Sequence, residues 1–385
     1  MADDITNTDR FERMKAVRRQ IHAHPEMAFK EFQTSELVAD RLESLGLRVR
    51  RAIGGTGVVG TLARGNGGSI GLRADMDALP IREAGNHAYK SKNDGVMHAC
   101  GHDGHTAMLL GAAEALSQAM DFSGTVHFIF QPAEENEGGG RRMVQEGLFR
   151  EHPCDAIFAL HNWPGLAAGR VAVQPGPMMA SYDTFTITLT GKGGHAAMPE
   201  STRDPIPVAA ELILALQTIV SRKISPHDPA VISVTRIRGG ETFNVIPEEV
   251  EFSGTVRCFS EEVRKRLQVE IEHTAKAVAS AHHINAELQY DWDYPPTINT
   301  EKEANFAAET ARALYGVDRV DTSFRPSMAS EDFAVMLQEV PGAYIWLGIG
   351  EDAAPLHNPH YDFNDDVLLT GADLLAGLAR DFLKA

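Results

Sequence analysis

The sequence lacks the features that mark several classes of protein. It has only three cysteines, Cys100, Cys154 and Cys258, and this odd number at wide spacing argues against a disulfide framework and for a reducing compartment. It also lacks a basic excess, because 36 Lys and Arg stand against 53 Asp and Glu, and the net charge of −17 disfavours binding to nucleic acid or anionic lipid. No apolar run is long enough to predict a membrane span, and the first residues carry no signal-peptide pattern. These absences predict a cytoplasmic protein with neither a nucleic-acid nor a membrane partner.

What is present is an ordinary globular composition, with 43% hydrophobic and 23% charged residues. A chain of 385 residues exceeds the size of one typical hydrophobic core, so we expect two domains. The pattern of strands and helices along the chain indicates where they divide.

The two ends of the chain alternate between predicted strands and helices. Two amphipathic helices separated at His24-Pro25 are predicted over 9–47. The predicted strands that follow are 70–73, 126–130 and 156–160, with a helix over 107–120, and later a helix near 303–314 and a strand at 344–347. This alternation is typical of an α/β domain with a mostly parallel, mixed sheet flanked by helices.

The middle of the chain follows a different pattern. Strict alternation at 184–189 predicts a strand, and Asp204-Pro205 opens a helix that runs to about 222. The predicted elements that follow are strands at 230–237 and 249–259, a helix at 260–282 and a strand at 286–290. The order β-α-β-β-α-β is that of a ferredoxin-like fold. We therefore predict an inserted α+β domain over 182–293, within a larger α/β domain built from 1–181 and 294–385.

Side chains able to bind metal follow the predicted strands of the larger domain. Because ligands bind beyond the carboxyl ends of parallel strands, these groups are expected at one edge of the sheet. Each alone has an ordinary structural interpretation, such as a solvated glutamate or a hydrogen-bonded histidine, but together they indicate a metal site. Cys100 and His102, two residues apart, suit a tight loop around an ion. The full set is Asp75, Asp77, Cys100, His102, Glu134, Glu135 and His161.

Ordered motifs extend over nearly the whole chain. They are RQIHAHPE at 19–26, LRADMDALP at 72–80, MHACGHDGH at 97–105, QPAEE at 131–135, LH at 160–161, GGH at 193–195, NVIP at 244–247, MASEDF at 328–333 and HNPHYDFND at 357–365. By these motifs the chain resembles the M20 family of metallopeptidases and acylases. Within that family it is similar to the aminoacylase-like, hippurate-hydrolase-like and auxin-conjugate-hydrolase-like amidohydrolases.

The resemblance implies two divalent ions per chain, held by five ligands. These ligands are Cys100, His102, Glu135, His161 and His357. Five N, O and S donors exceed the needs of one tetrahedral ion, and a thiolate favours Zn over Mg or Ca. The family pattern leaves Mn, Co and Ni open. Asp75, Asp77 and His105 are expected to orient the ligands through hydrogen bonds, and His22, His24 and His98 to serve as hydrogen-bonding scaffold.

The resemblance also implies the remaining active-site roles. Glu134 would be the general base, and His195 of the inserted domain a second donor to the oxyanion, which in relatives can come from the partner subunit of a dimer. Asn244 and Arg257 look similar to residues that grip the substrate carboxylate, although a structural ion pair for Arg257 stays open. A homodimer or higher homo-oligomer formed through the inserted domain is therefore expected.

The sequence thus predicts a metal-dependent amidohydrolase of small N-acyl amino acids, which releases a free amino acid and a carboxylic acid. A dipeptidase or carboxypeptidase is the alternative, and it is less favoured because no acidic residue is evident for a free α-amine. An inactive dimeric binding protein of the same fold is a further alternative, disfavoured because Glu134 and all five ligand positions are present. The acyl group, the amino acid and the stereochemical preference are not indicated by the sequence.

Overall fold

A computed structural model describes residues 2–135 and 137–384, with side chains from residue 7 onward, and it divides into two compact units. The larger unit comprises Met1–Met178, Ile298–Arg325 and Asp332–Ala385. The smaller unit comprises Met179–Thr297 and Pro326–Glu331. The smaller unit contains the whole of 182–293, and it also includes a short downstream segment that the sequence pattern does not indicate.

Helices and strands are numbered here in chain order. The helices are α1 (Ala2–Ala23), α2 (Phe32–Ser44), α3 (His102–Gln118), α4 (Gly139–Gln145), α5 (Leu148–Glu151), α6 (Pro205–Lys223), α7 (Glu261–Ala281), α8 (Glu301–Tyr315), α9 (Phe333–Glu339) and α10 (Leu368–Phe382). The first strands are β1 (Arg48–Ile53), β2 (Gly57–Arg64), β3 (Ser69–Asp75), β4 (Gly124–Gln131), β5 (Ala156–Pro164), β6 (Val171–Ala172), β7 (Gly176–Met179) and β8 (Tyr182–Thr190). The others are β9 (Gly194–His195), β10 (Ala230–Gly239), β11 (Val245–Ile246), β12 (Glu249–Cys258), β13 (Asn285–Tyr294), β14 (Thr297–Asn299), β15 (Val320–Asp321) and β16 (Gly342–Gly350).

The larger unit is built on a mixed sheet with the strand order β1-β2-β4-β3-β5-β16-β6-β15. Its centre, β4-β3-β5-β16, is parallel, whereas β1 and β2 pair antiparallel with their neighbours. β6 pairs antiparallel with β16 and parallel with β15. The central strands are buried along almost their whole length, as expected for parallel strands covered on both faces. The predicted α/β class is therefore confirmed, and the parallel centre brings the carboxyl ends of β3, β4 and β5 to one edge.

The edge hairpin β1-β2 was not predicted from the sequence. Arg48, Arg50 and Arg51 give β1 a charged, largely exposed surface, so its apolar alternation is hidden. Charged side chains of this kind are how proteins protect an edge strand from pairing with another chain.

Helix α3 begins at His102, five residues before the predicted start of 107. Gly101 precedes it with φ +89°, a left-handed conformation that glycine adopts without strain and that turns the chain into the helix. The expectation of a tight loop spanning Cys100 and His102 is thus wrong in part. Cys100 stands before the helix, and His102 lies in its first turn.

The smaller unit has the predicted ferredoxin-like topology. Its antiparallel sheet has the order β10-β12-β8-β13, and α6 and α7 connect the strands and pack on them. Asp204 caps α6 by accepting a hydrogen bond from Ile206 N at 2.9 Å, so the predicted Asp-Pro helix start is confirmed. A short ladder of β9 with β11 lies beside this sheet and positions His195.

Helix α6 is long and apolar enough to cross a membrane by length and composition alone. Its buried residues Val208, Leu212, Leu216 and Ile219 form part of the hydrophobic core of the smaller unit. A helix in the core of a folded domain can meet the same criterion of length and hydropathy.

A pair of histidines in the larger unit makes its stability depend on pH. His127 of β4 is buried beside His152, with ring centroids 5.1 Å apart, and its Nδ1 lies 3.0 Å from Thr61 Oγ1. Burial, followed by the positive charges of His152 and Arg48, lowers the pKa of His127 from 6.5 to about 4. Between these two values the unfolded chain binds a proton that the folded chain does not. The free energy of unfolding therefore falls as the pH falls through this window.

We predict that His127→Gln reduces this acid sensitivity, because glutamine can keep a hydrogen bond to Thr61 but cannot be protonated. Urea unfolding of the chelated protein at about pH 7 and about pH 5 measures it. The variant should lose less unfolding free energy between the two values than the wild type does. His227→Gln, at an exposed position, is the control and should behave like the wild type. An equal loss in wild type and His127→Gln would contradict the assignment.

Candidate metal centre

The ends of three adjacent strands bring the predicted site residues together in the larger unit. Asp75 is the last residue of β3, and Glu134 and Glu135 follow the end of β4. His161 lies inside β5, which continues to Pro164, so the expectation that it directly follows the strand is wrong by a few residues. The convergence at one edge follows from the parallel pairing of β4, β3 and β5.

The ligand atoms form two overlapping groups. One atom each from Cys100, Glu135 and His357 lie within 4.8 Å of one another, and so do atoms of His102, Glu134 and Glu135. Cys100 Sγ lies 3.5 Å from Nε2 of His161, which joins the fifth predicted ligand to the first group. Glu135 belongs to both groups, the position expected of a carboxylate shared by two ions.

Hydrogen bonds fix two of the imidazoles so that Nε2 faces the site. His161 Nδ1 lies 2.6 Å from the carbonyl oxygen of Asn162 and donates to it. His102 Nδ1 lies 3.2 Å from Asp77 Oδ1, and its Nε2 has no hydrogen-bond partner within residues 2–135 and 137–384. A buried nitrogen without a partner is costly unless another group, such as a metal ion, takes its lone pair. The donor set therefore fits a borderline-soft metal.

Asp77 holds two of the predicted ligands at once. While Oδ1 accepts from His102, Oδ2 accepts a hydrogen bond from the backbone N–H of Glu135 at 3.1 Å. The carboxylate itself is 1% exposed. The side chain of Asp77 therefore contacts predicted ligands from two separate segments.

His105 and Asp75 also come close to the ligands, and atoms of these two lie within 4.8 Å of atoms of His102 and His161. The ring nitrogens of His105 are both engaged: Nδ1 lies 2.6 Å from Asp75 Oδ1, and Nε2 accepts from Asn162 N at 2.9 Å. His105 therefore has no nitrogen left for an ion, and it supports the backbone next to His161 instead.

The site carries more negative than positive charge. Burial, followed by the carboxylates of Glu135 and Glu134, raises the pKa of the Cys100 thiol well above its usual value. For His102, burial opposes protonation, but Asp75, Asp77 and Glu135 outweigh it and raise its pKa to about 10. Without an ion these two groups hold protons, and a cation that binds here must displace them.

Two strained turns present the ligands. Ala133 has φ +54° and His357 has φ +63°, both in the left-handed region that non-glycine residues avoid, at a cost of about 1–3 kcal/mol each. Ala133 N donates to Glu31 Oε1 at 2.9 Å, and His357 N donates to Ala99 O at 2.8 Å. These bonds hold the turns in place. The side chain of His357 is 51% exposed, so the site opens to solvent on this side.

Glu134 is buried at the end of the Ala133 turn, and its Oε1 accepts a hydrogen bond from Asp332 N at 3.3 Å. Asp332 belongs to a buried network that sequence reasoning missed. Arg73 donates to Asp75 Oδ2 at 2.7 Å and to Gln131 Oε1 at 2.8 Å, and Gln131 donates to Asp332 at 2.7 Å. One signal was an arginine within the largely apolar strand β3, and Gln131 and Asp332 stand in the motifs QPAEE and MASEDF.

The smaller unit carries the other three predicted residues. His195 is exposed, its Nδ1 accepts a hydrogen bond from Ala197 N at 3.1 Å, and the neighbouring Ala196 N donates to Asn244 O at 3.0 Å. His195 and Asn244 therefore lie side by side. Arg257 donates to Met328 O at 3.0 Å and lies over the ring of Tyr182. It forms no ion pair with any carboxylate of the described residues, so the structural ion pair considered for it is not found.

Comparison with known proteins places these features in one family. Residues 71–381 match the model of peptidase family M20/M25/M40. The hippurate hydrolase of Campylobacter jejuni is 42% identical over 369 residues, covering 96% of this chain and 96% of the relative. The N-acetylcysteine deacetylase of Bacillus subtilis is 38% identical over 382 residues, covering 98% of both.

A solved structure of the Bacillus subtilis YXEP protein, described as a dinuclear metal binding peptidase from the M20 family, is also similar. It has a TM-score of 0.87 and 34% identity, over 98% of this chain and 99% of that one. Together with the groups of metal-binding side chains in the larger unit, the similarity supports two divalent ions. The chain therefore belongs to peptidase family M20/M25/M40, and it is a hydrolase of amide bonds.

Proposed function

We propose that this enzyme hydrolyses the amide bond of small N-acyl amino acids and releases a free amino acid and a carboxylic acid. Two similar relatives are named for such substrates, hippurate and N-acetylcysteine. The observation that carries the proposal is the position of Glu134, whose carboxylate lies within 4.8 Å of ligand atoms of His102 and Glu135. A base beside a metal site is the arrangement that amide hydrolysis by water requires.

We propose Cys100, His102, Glu135, His161 and His357 as the ligands of two divalent ions, with Glu135 shared. Zinc suits this set of thiolate, imidazole and carboxylate donors, and Mn, Co or Ni could replace it. When bound, such a pair acts as a Lewis acid on the carbonyl and lowers the pKa of water from about 16 towards about 7. Asp77 prepares the site by holding His102 and Glu135 in place.

Glu134 would move the proton. Its carboxylate takes a proton from the attacking water and gives it to the leaving amine nitrogen, so the same oxygen serves as base and then as acid. The Asp332 N–H and the turn at Ala133 hold that carboxylate still, and its burial keeps bulk water away from the transferred proton. The rate of hydrolysis then depends on a carboxylate at position 134 more than on the size of the side chain there.

The smaller unit would bind the substrate. Because Nδ1 of His195 accepts a backbone N–H, the proton of the neutral ring lies on Nε2, which makes Nε2 a donor for the oxyanion. Arg257 has no carboxylate partner among the described residues, and with Asn244 it would grip the substrate carboxylate. We further propose that residues 182–293 act as a lid on the catalytic domain 1–181 and 294–385, and that chains form homodimers through this lid.

We predict that Glu134→Gln lowers kcat by about 10²- to 10⁴-fold, because glutamine cannot take the proton. The amide keeps an acceptor for Asp332 N, so the fold and the metal content should not change. Initial rates on an N-acyl amino acid, together with metal analysis of the same samples, measure both properties. Full activity in Glu134→Gln would remove this residue from the mechanism.

The same variant tests whether His195 acts from a partner subunit. His195→Ala should also be inactive, and mixed dimers of His195→Ala with Glu134→Gln should regain part of the wild-type rate, because one site of each dimer is complete. His227→Ala, also in the smaller unit, is the control and should keep full activity. Mixed dimers that stay inactive would rule out sharing between subunits.

A substrate panel tests the proposed function itself. It contains acetyl and benzoyl amino acids, dipeptides, and acyl amines that lack the α-carboxylate, each before and after chelation and after addition of Zn, Mn or Co. We expect hydrolysis of the acyl amino acids that is lost on chelation, and a higher KM for the acyl amines because they cannot pair with Arg257. Cleavage of dipeptides alone would identify a peptidase, as the description of the YXEP structure favours. No turnover with any metal would indicate an inactive binding protein.

A further inference from the structure

A second group of metal-binding side chains lies in the larger unit, and none of them belongs to the ligand set proposed above. His22 is at the end of α1, and Glu83 and His87 are in the segment between β3 and α3. One ligand atom from each lies within 4.8 Å of the other two. Glu83 Oε1 is 2.7 Å from His87 Nε2 and 3.4 Å from His22 Nε2. Two imidazoles and a carboxylate thus converge on one point.

The surrounding hydrogen bonds orient these ligand atoms. His22 Nδ1 lies 2.8 Å from Asp103 Oδ2, and Asp103 in turn forms an ion pair with Arg18 at 2.8 Å. A carboxylate on Nδ1 leaves Nε2 as the ligand atom, the arrangement that accompanies metal-bound histidines. Ser91 N donates to Glu83 Oε2 at 2.7 Å, so Oε1 is the oxygen left for the two imidazoles.

The charge around the cluster is not balanced by protein cations. One connected network contains the carboxylates of Glu83, Asp103, Asp362 and Asp365 and the guanidinium groups of Arg18 and Arg19. Without an ion His22 also holds a proton, because Asp103 and Glu83 outweigh the effect of burial and raise its pKa to about 9, so four negative groups face three positive ones. When a divalent cation displaces this proton, two negative charges remain among the carboxylates and guanidinium groups, and the cation neutralises both. The side chains of His22 and Glu83 are 0% and 1% exposed, so water screens little of the charge at these two residues.

Two further features suit an ion at this position. The side chain of His87 is 21% exposed and offers a path of entry from solvent. The ring of His98 lies 6.3 Å from that of His22, and in the part of the chain that the structure describes neither of its buried ring nitrogens has a hydrogen-bond partner. This contradicts the expectation that His98 is hydrogen-bonded scaffold. Water held by an ion in the cluster would supply the partner that this imidazole lacks.

We propose that His22, Glu83 and His87 bind a third divalent cation. Two imidazole nitrogens, one carboxylate oxygen and a water complete a tetrahedral zinc site, and Mn or Co suits the same donors. The ion would tie the end of α1 to the segment after β3. Through Asp103 it would also stabilise the first turn of α3, which carries His102. Its role is to hold the fold around the candidate metal centre, and it takes no part in proton transfer.

Metal analysis of the full chain tests the proposal, with wild type, His87→Ala and His24→Ala saturated with zinc and freed of excess by gel filtration. His24 is the matched control, since its Nδ1 bonds to Gln20 O and it lies outside the cluster. His87→Ala should bind one ion fewer than wild type, and His24→Ala the same number as wild type. Zinc should also raise the Tm of the chelated wild type more than that of chelated His87→Ala. Equal ion content in wild type and His87→Ala would overturn the proposal.

Glu83→Gln provides a second variant of nearly unchanged size, for the case in which His87→Ala folds poorly. It should also lose one ion, and an unchanged ion content in this variant would count equally against the site. The test compares the number of ions per chain in the wild type and in each variant, so its result does not depend on how many ions the candidate metal centre holds. Failure of the third site is therefore distinguishable from failure of the proposed function, which the substrate panel tests.

Discussion

The candidate metal centre depends on the two hydrogen bonds that the carboxylate of Asp77 accepts. One of its oxygens orients the imidazole of His102, and the other accepts the backbone N–H of Glu135. These two ligands come from the start of α3 and from the turn after β4, and Asp77 itself follows β3. The contact is available only because β3 and β4 are neighbouring parallel strands that end at the same edge. The fold thus sets the spacing of the ligands before any ion is bound.

The same edge concentrates buried charge, and the chain neutralises it in two ways. Arg73 pairs with Asp75 and Asp332, so a protein cation balances part of this charge. The carboxylates around Cys100 and His102 outweigh the effect of burial at His102 and add to it at Cys100, so the pKa of both groups is raised. Part of the charge is therefore balanced by Arg73, and Cys100 and His102 hold protons when no cation is bound. A buried network of this kind is sensitive to the loss of any one member, because the remaining charges stay buried.

The sequence predicts the architecture well where hydrophobic periodicity is strong. The ferredoxin-like order of the smaller unit and most of β3 and β5 follow from alternating or continuous apolar residues, although the predicted strands end before Asp75 and His161. It fails where charge or backbone conformation decides the structure. The arginines of β1 hide an edge strand, and the left-handed Gly101 starts α3 early, which no apolar pattern reveals. The buried partners Arg73 and Asp332 are 259 residues apart, and only the fold brings them together. For Cys100, Glu135 and His357 the family motifs named the residues, but only the structure shows that Glu135 belongs to both groups of nearby ligand atoms.

Anomalous diffraction at the zinc edge from crystals of the zinc-loaded enzyme would test the dinuclear assignment most directly. Two peaks are predicted among Cys100, His102, Glu135, His161 and His357, with Glu135 between them and Asp77 behind His102, away from both ions. A single peak there, or an ion held by Asp75 and His105 in place of Glu135, would contradict the assignment.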